Sequence, residues 1–444
     1  MRQPNEEQRI AGWGRIAVPG TERFAADLER ASEHFHLFRG LGRSYGDASL
    51  PAPGQLEVLA TPFADRIVSF DSVSGLLRAE AGLSLREINR LFLPEGWFTP
   101  VTPGTHFVTL GGMVAADVHG KNHHRSGCFG EHVTRLRMRL ADGRVVECSP
   151  TGEPELFWAT VGGMGLTGHI LEVEVPLVRV ESPWIEAESE RIPGIDQFIQ
   201  ALKKAGPDWP FTVGWIDCLS RGRSRGRGIL MRGRWADPSS APRQAPRPRR
   251  RLRVPFVCPS WFLSRWSAKA FNALYYRSHI PGVRRRQISY ESFFYPLDRI
   301  EHWNRLYGRR GFTQFQCVLP ESADVGAARS FLERLTSLGG ASFLCVIKDC
   351  GDEGRGLLSF PMRGISIALD IPVKRDTQTL VDALNEKVLE LGGRIYLAKD
   401  SFTRPDHFAR MEPRLAKFLE IRRRFDPEGR FRSALSVRLF GDSS

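Results

Sequence analysis

Short apolar-rich runs, too brief for helices, punctuate the first part of the chain and read as strands at Ile67–Phe70 and Leu76–Ala81. Val133–Leu140 and Arg144–Cys148 flank Ala141-Asp142-Gly143, the pattern of a β-hairpin. Between these, Ser84-Leu85-Arg86-Glu87 is a capping box that predicts a helix running through Leu91. A second, shorter helix is predicted at Glu155–Trp158. Residues 36–180 thus carry an α+β pattern. From about 184 to 393 the pattern changes. Helices are predicted at Gly194–Ala205, Ala327–Leu338 and Thr377–Leu391, and strands at Phe211–Leu219, Gly311–Leu319, Ser342–Lys348 and Ile365–Pro372. That alternation predicts an antiparallel sheet covered by helices. A last strand, Arg394–Lys399, and a helix near Pro413–Arg424 follow.

At 444 residues the chain exceeds one ordinary core, so two domains are expected. The N-terminus carries no apolar signal-like run, and no uncharged apolar run reaches the ~18–20 residues that span a bilayer. Seven scattered cysteines, none in a Cys-x-x-Cys pair, point to neither a disulfide framework nor a zinc site, and a reducing cytoplasm fits them. His123 and His124 have no acidic or cysteine partner spaced to complete a metal site and read as polar structure.

The net charge of +13 is uneven. Arg221–Arg286 holds 18 Lys and Arg against one acid, Asp237, while the rest is slightly negative. This segment reads as an insert in a poor folding context, its Pro-Arg-rich part at 246–251 mobile. Nucleic acid is not the expected partner, because no recognition module accompanies the charge. Pro259–Arg277 interleaves aromatics with Arg265, Lys269 and Arg277. On a helix Arg265, Lys269 and Asn272 share a face, with Phe262, Trp266 and Ala273 nearer the other. That is the composition of a helix lying on an anionic membrane. The alternative is a surface loop whose aromatics pack on the sheet.

Chemistry enters with three glycine clusters. Arg39, Gly40, Leu41, Gly42, Arg43, Ser44, Tyr45, Gly46 and Asp47 form a loop whose backbone amides suit a pyrophosphate. Further clusters follow at Thr102–Gly130 and Thr160–Gly168. Together they suggest one large phosphate-bearing cofactor. The dinucleotide fingerprint Gly-x-Gly-x-x-Gly between a first strand and a long helix is not laid out here.

The three clusters resemble the FAD-binding fold of the vanillyl-alcohol-oxidase type. A narrower resemblance rests on four stretches: Gly40–Asp47, Pro103–His124 with its His-Gly-Lys-Asn-His-His run, Trp158–Gly168, and Tyr396-Leu-Ala-Lys-Asp400. Together with Phe425-Asp-Pro427 they resemble the decaprenylphosphoryl-β-D-ribose 2′-oxidase family over essentially the whole chain. The resemblance implies an FAD-binding domain from 1–183 and 394–444, and a substrate domain from 184–393 carrying the insert at about 221–286. It implies that the first loop faces the pyrophosphate. Gly104, Thr109, Leu110, Gly111, Gly112, Ala116, Asp117, Val118 and His119 would line the cofactor, with Ile170 near its adenosine and Tyr396 reaching it from the C-terminal strand. Flavoproteins of this fold often bind FAD covalently through a histidine where this chain has Arg43, so non-covalent FAD is expected.

Oxidising a secondary alcohol needs a proton acceptor, a hydride acceptor and stabilisation of the developing charge. By the resemblance, Lys399 is the first choice near the reactive hydroxyl, acting as base only if burial lowers its pKa. Gln314 and Gln316 alternate on one strand, face one side, and suit sugar hydroxyls. Lys348, on the adjacent predicted strand, could meet a substrate phosphate. His119, Lys121 and Tyr45 complete the expected site. Ala368 stands where the mycobacterial members carry a cysteine, so indifference to electrophiles aimed at that thiol is expected. The implied reaction is FAD-dependent oxidation of the C2 hydroxyl of a polyprenyl-phosphate-linked ribose, an NAD(P)H-dependent reductase then giving the arabinose epimer. The expected location is cytoplasmic, peripheral to the inner membrane. A soluble sugar, alditol or aldonolactone oxidase of the same fold is the alternative, and a flavin-binding protein without alcohol oxidation a third class.

Overall fold

A computed structural model describes residues 8–442 apart from 245, 247–249, 260, 324 and 325. Part of the Pro-Arg run expected to be mobile therefore lies outside the described residues.

Near the start, β1 (Thr21–Phe24), β2 (Phe38–Arg39) and β3 (Glu57–Ala60) form a parallel sheet with β3 central. Strands β4 (Ile67–Phe70), β5 (Leu76–Glu80), β6 (Arg135–Arg139), β7 (Val145–Cys148) and β8 (His169–Pro176) form an antiparallel sheet in the order β7-β6-β8-β5-β4. The expected hairpin is β6–β7. Its turn closes because Gly143 takes a φ of 86° and the Asp142 carboxylate accepts from the Arg144 amide at 3.0 Å. Helix α1 (Leu85–Phe92) starts at Ser84, whose hydroxyl accepts from the Glu87 amide. The capping box is half made, because Glu87 turns to Arg90 at 2.6 Å instead of reaching back. Helices α2 (Leu110–Ala115) and α3 (Pro154–Thr160) complete this part.

The second part is an eight-stranded antiparallel sheet. It comprises β9 (Trp184–Ile192), β10 (Phe211–Ile216), β11 (Gly228–Trp235), β12 (Val283–Ser289), β13 (Phe312–Pro320), β14 (Cys345–Cys350), β15 (Gly364–Pro372) and β16 (Arg394–Ile395). The order is β12-β9-β11-β10-β14-β15-β13-β16. Helices α4 (Ile195–Ala205), α6 (Ala327–Ser337) and α7 (Thr377–Glu390) cover one face. Their Phe198, Phe331 and Leu384 share a core with Ile347, Ile367 and Cys317 of the sheet. Helix α5 (Arg265–Ser278) packs on the other face, with Tyr275 against Trp215 at 4.7 Å.

Two corrections concern the basic segment. It is not wholly an insert, because β11 is a central strand and β12 the edge strand of the large sheet. Its arginines are drawn into the fold by the glutamates of β9: Arg234 pairs with Glu186, Arg232 with Glu190, and Arg285 with the buried Glu188. Nor is Asn272 on a polar outer face. It is fully buried, and its amide donates to Asp217 Oδ1 at 3.0 Å and the Ser342 carbonyl at 3.1 Å.

A third correction concerns the expected strand Arg394–Lys399, of which only Arg394–Ile395 pairs with the sheet. Residues 396–400 turn instead, with the Lys399 amide donating to the Tyr396 carbonyl at 3.0 Å. The turn is pinned from both parts of the chain: the Tyr396 amide donates to Gln316 O, and Ala398 O accepts from the Tyr45 amide. Helix α8 (Leu415–Phe425) follows.

Candidate active site

The sheet face opposite helices α4, α6 and α7 carries the polar groups. Register sets them side by side: Gln314 opposes Asp370, Gln316 opposes Ala368, and Ser366 lies between Val318 and Lys348. Directly opposed residues share a face of the sheet. Lys348 is thus not on the strand next to the glutamines, because β15 lies between. It still shares their face, one residue row along.

Asp370 organises one end. It is buried, accepting from Tyr307 Oη at 2.5 Å and from Gln314 Nε2 at 2.6 Å. Burial raises its pKa to about 6 against the pull of those two bonds. Lys399 projects from the 396–400 turn with its ammonium 3.8 Å above the Tyr45 ring. Burial lowers its pKa to about 7, opposed by Asp370 and aided by Lys348. The condition for a basic role, loss of charge near neutrality, is met by the surroundings. Burial also raises the Tyr45 phenol well above its ordinary range.

At the other end, Gln316 Nε2 donates to Ser366 Oγ at 3.2 Å and to His119 Nε2 at 2.9 Å. His119 is neutral, held well below its ordinary pKa by burial and then by Lys348, His123 and Lys399. With Nε2 accepting, Nδ1 carries the proton, and this buried atom has no acceptor among the described residues. The Tyr396 ring lies 5.0 Å from the imidazole, and its hydroxyl donates to the Ala116 carbonyl at 2.8 Å. The Lys121 ammonium donates to the Phe294 carbonyl, and burial then Lys348 bring its pKa to about 7. Burial lowers Lys348 as well. Three lysines and a histidine therefore share a space with few counter-charges, which favours an anionic occupant.

Residues 39–47 pass beside this space. Among the described residues, nothing accepts from the amides of Leu41, Gly42, Arg43 or Ser44. Gly42 has a φ of 62°, and a Cβ at Gly46 would stand 1.6 Å from the Asp400 carbonyl oxygen, so both glycines are required. Beyond them a Cβ at Gly104 would meet only open space. Free amides, an open glycine wall and the orphaned His119 Nδ1 suit a phosphate-bearing flavin. Arg43 stacks on Trp13 at 4.1 Å and leaves its Nε unpartnered.

Several expected lining residues have their side chains or amides engaged elsewhere. The Arg39 guanidinium is buried and taken by Glu22, Ser49 and the Ala11 carbonyl, so its charge holds the loop and is not free for a phosphate. Asp47 is paired with Arg438, which also holds Asp400. Asp117 accepts from the Gly130 amide and from Ser359 Oγ. The amides of Leu110 and Gly111 donate to Leu83 and Ala81 carbonyls, and that of Gly112 to Thr109 Oγ1. From Leu110 on, this segment is a packed floor whose first amides are taken, while that of Thr109 has no acceptor among the described residues. Val118 and Ile170 are buried in the adjoining core. His123 Nδ1 accepts from the Gly351 amide and His124 meets the Trp209 carbonyl, so both serve structure.

Sequence reasoning missed Asp370, Tyr307 and Ser366. The signal for two of them was present: Ser366, Ala368 and Asp370 alternate along one predicted strand as Gln314 and Gln316 do. Tyr307 gave none, since it reaches Asp370 from a separate 3₁₀ turn.

The profile of the FAD binding domain family matches residues 23–149. The decaprenylphosphoryl-β-D-ribose oxidase of Mycolicibacterium smegmatis is 35% identical over 98% of this chain and 98% of its own length. An uncharacterised protein of Streptomyces coelicolor is 33% identical over 80% of this chain and 100% of its own length. The Δ(24)-sterol reductase of Mus musculus is 25% identical over 31% of this chain and 27% of its own length.

Proposed function

This chain belongs to the decaprenylphosphoryl-β-D-ribose oxidase family of FAD-linked oxidoreductases, and from that premise we propose that it oxidises the C2 hydroxyl of a polyprenyl-phosphate-linked ribose to the 2-keto sugar. The observation that carries the reading is the surroundings of Lys399: a half-buried ammonium that loses its charge near neutrality, against Tyr45, beside a sheet face of amides and two further cations. A soluble alditol oxidase would have no use for Lys121 and Lys348 in that space.

In this reading the neutral Lys399 amine takes the C2 hydroxyl proton. Gln314 and Gln316 hold the remaining sugar hydroxyls, oriented by Asp370 and by Ser366 with His119. Lys348 and Lys121 meet the phosphodiester. Bound FAD supplies the hydride acceptor for the C2 hydrogen. It would be held without a covalent bond by the amides of Leu41–Ser44, by His119 Nδ1 and by Tyr396, the residues 1–183 and 394–444 binding it and 184–393 binding the sugar. The keto product is the substrate for an NAD(P)H-dependent reductase that completes epimerisation to the arabinose form. Among the described residues no helix is long and apolar enough to cross a membrane. A lipid-linked substrate then requires the protein to meet an anionic membrane surface peripherally, from the cytoplasmic side.

The product identifies the carbon attacked. Borohydride reduction of a 2-keto product yields ribose and arabinose together after release from the lipid. Xylose in place of arabinose would move the reaction to C3 and reject the assignment.

A further inference from the structure

We propose that the outer face of α5 and the segment leading into it form a docking surface for a bilayer containing anionic lipid, and that this surface is joined to the catalytic face through a continuous aromatic contact. The consequence for catalysis rests on the lipid-linked substrate proposed above. The docking itself does not, and is read without substrate.

Helix α5 is fastened to the protein. Ser264 caps it, and Ala268, Asn272 and Tyr276 are buried beneath it. Asn272 ties it to Asp217 and Ser342, and the Tyr276 ring lies under Arg191 at 4.2 Å and Arg227 at 4.6 Å. The opposite face is apolar and uncovered. Trp266 is 80% exposed, Leu274 71% and Trp261 75%, with Phe256 and Phe262 exposed beside them in the chain. Folding a helix firmly while leaving two indoles in water is costly unless something covers them.

Charge selects the cover. From 238 to 290 the chain has no acid and twelve Lys and Arg. Arg265, Lys269 and Arg277 on α5 pair with no acid among the described residues, unlike the arginines of β11. A second copy would set the same cations against themselves. Indoles flanked by unpaired cations match the headgroup boundary of an anionic bilayer, where the rings enter the acyl edge and the cations meet phosphate.

The surface is on the substrate side. Trp215, Val346, Ala368 and Gln316 form one cross-strand row on one sheet face, with α5 on Trp215 at one end and the glutamine at the other. A second path runs from Phe271 of α5 to Phe343 at 5.7 Å and from Phe343 to Tyr307 at 5.7 Å, and Tyr307 holds Asp370. The docked helix and the polar site are thus tied to the same face of the same sheet.

The test is sedimentation of the full FAD-loaded protein with phosphatidylcholine vesicles, with and without phosphatidylglycerol. Wild type binds the phosphatidylglycerol vesicles in a salt-sensitive way. The double variant Trp261→Ser/Trp266→Ser loses about tenfold or more of that binding, since one anchoring signal alone is marginal. Its flavin reduction by a water-soluble short-chain prenylphosphoryl ribose is unchanged. Arg265→Glu/Lys269→Glu keeps the aromatics, folds independently of the first pair, and loses the preference for anionic vesicles. No binding by wild type, equal binding to both vesicle types, or wild-type binding by both variants would overturn the docking surface. So would a concentration-dependent dimer that the tryptophan variant abolishes. Vesicle binding by a protein that reduces its flavin with no prenylphosphoryl ribose would sustain the docking and reject the substrate instead.

Discussion

Burial does most to disfavour charge on Lys121, Lys348 and Lys399, and Lys348 adds to it at the other two. Lys399 has Asp370 nearby, as Lys121 has Asp298, and Asp370 is itself moved up to about 6. Lys399 therefore changes charge near pH 7. Its neutral fraction grows as pH rises through that value, and so should the rate of flavin reduction in a single turnover. We expect the rate to climb between about pH 6 and pH 8 and then level. Lys399→Met should cost about 1,000-fold in that rate and remove the climb. A pH-independent rate in wild type, or a variant within a few-fold of it, would deny Lys399 the proton. At this scale the resemblance led to Lys399 and His119, and alternation along one strand put Gln314 and Gln316 on one face. Arg39 and Asp117 were not legible as structural groups, because a charge beside glycines looks the same whether it faces a ligand or another side chain.

The elements were legible where apolar periodicity governs. The hairpin β6–β7, helices α4, α6 and α7, and strands β13 and β15 follow the pattern with small shifts at their ends. Strands β11 and β12 were hidden by their charge. Alternation in Arg284-Arg285-Arg286 cannot be seen until the glutamates of β9 lie beside it, and that pairing is made by distant chain. The same blindness placed Asn272 outward. A helical wheel groups it with Arg265 and Lys269, but Asp217 and Ser342 offer partners that only the folded sheet brings near. Asn272→Ala removes two buried bonds, one of them to a carboxylate, and leaves Asp217 Oδ1 with the Leu219 amide and the Ser342 carbonyl with the Cys218 thiol. It should destabilise the protein by about 1–3 kcal/mol in denaturant unfolding. A loss below about 0.5 kcal/mol would mean that α5 is held by its rings alone.

Across the whole molecule, the first loop and the 396–400 turn join the two parts of the chain. Tyr45 bonds Ala398, Gly46 fits against Asp400, and Arg438 binds both Asp47 and Asp400. The loop presents Arg43 stacked on Trp13, with no nucleophile there to form a flavin bond. Acid precipitation should leave the flavin in the supernatant; flavin retained in the washed pellet would show a linkage elsewhere. The resemblance implied that residues 394–444 return to the part that holds the first loop. How the two parts meet was not foreseeable, because the turn at 396–400 is imposed by bonds from 316 and 45 and not by its own residues.

The central claim is that the cationic space beside Lys399 is built for a sugar carried on a polyprenyl phosphate. Anaerobic mixing of the FAD-loaded protein with short-chain prenylphosphoryl ribose, and separately with free ribose, ribitol and an aldonolactone, tests it most directly through flavin absorbance. We predict rapid bleaching by prenylphosphoryl ribose and none on the same timescale by the others. Bleaching by the free sugar, alditol or lactone with an inert prenylphosphoryl ribose would contradict it.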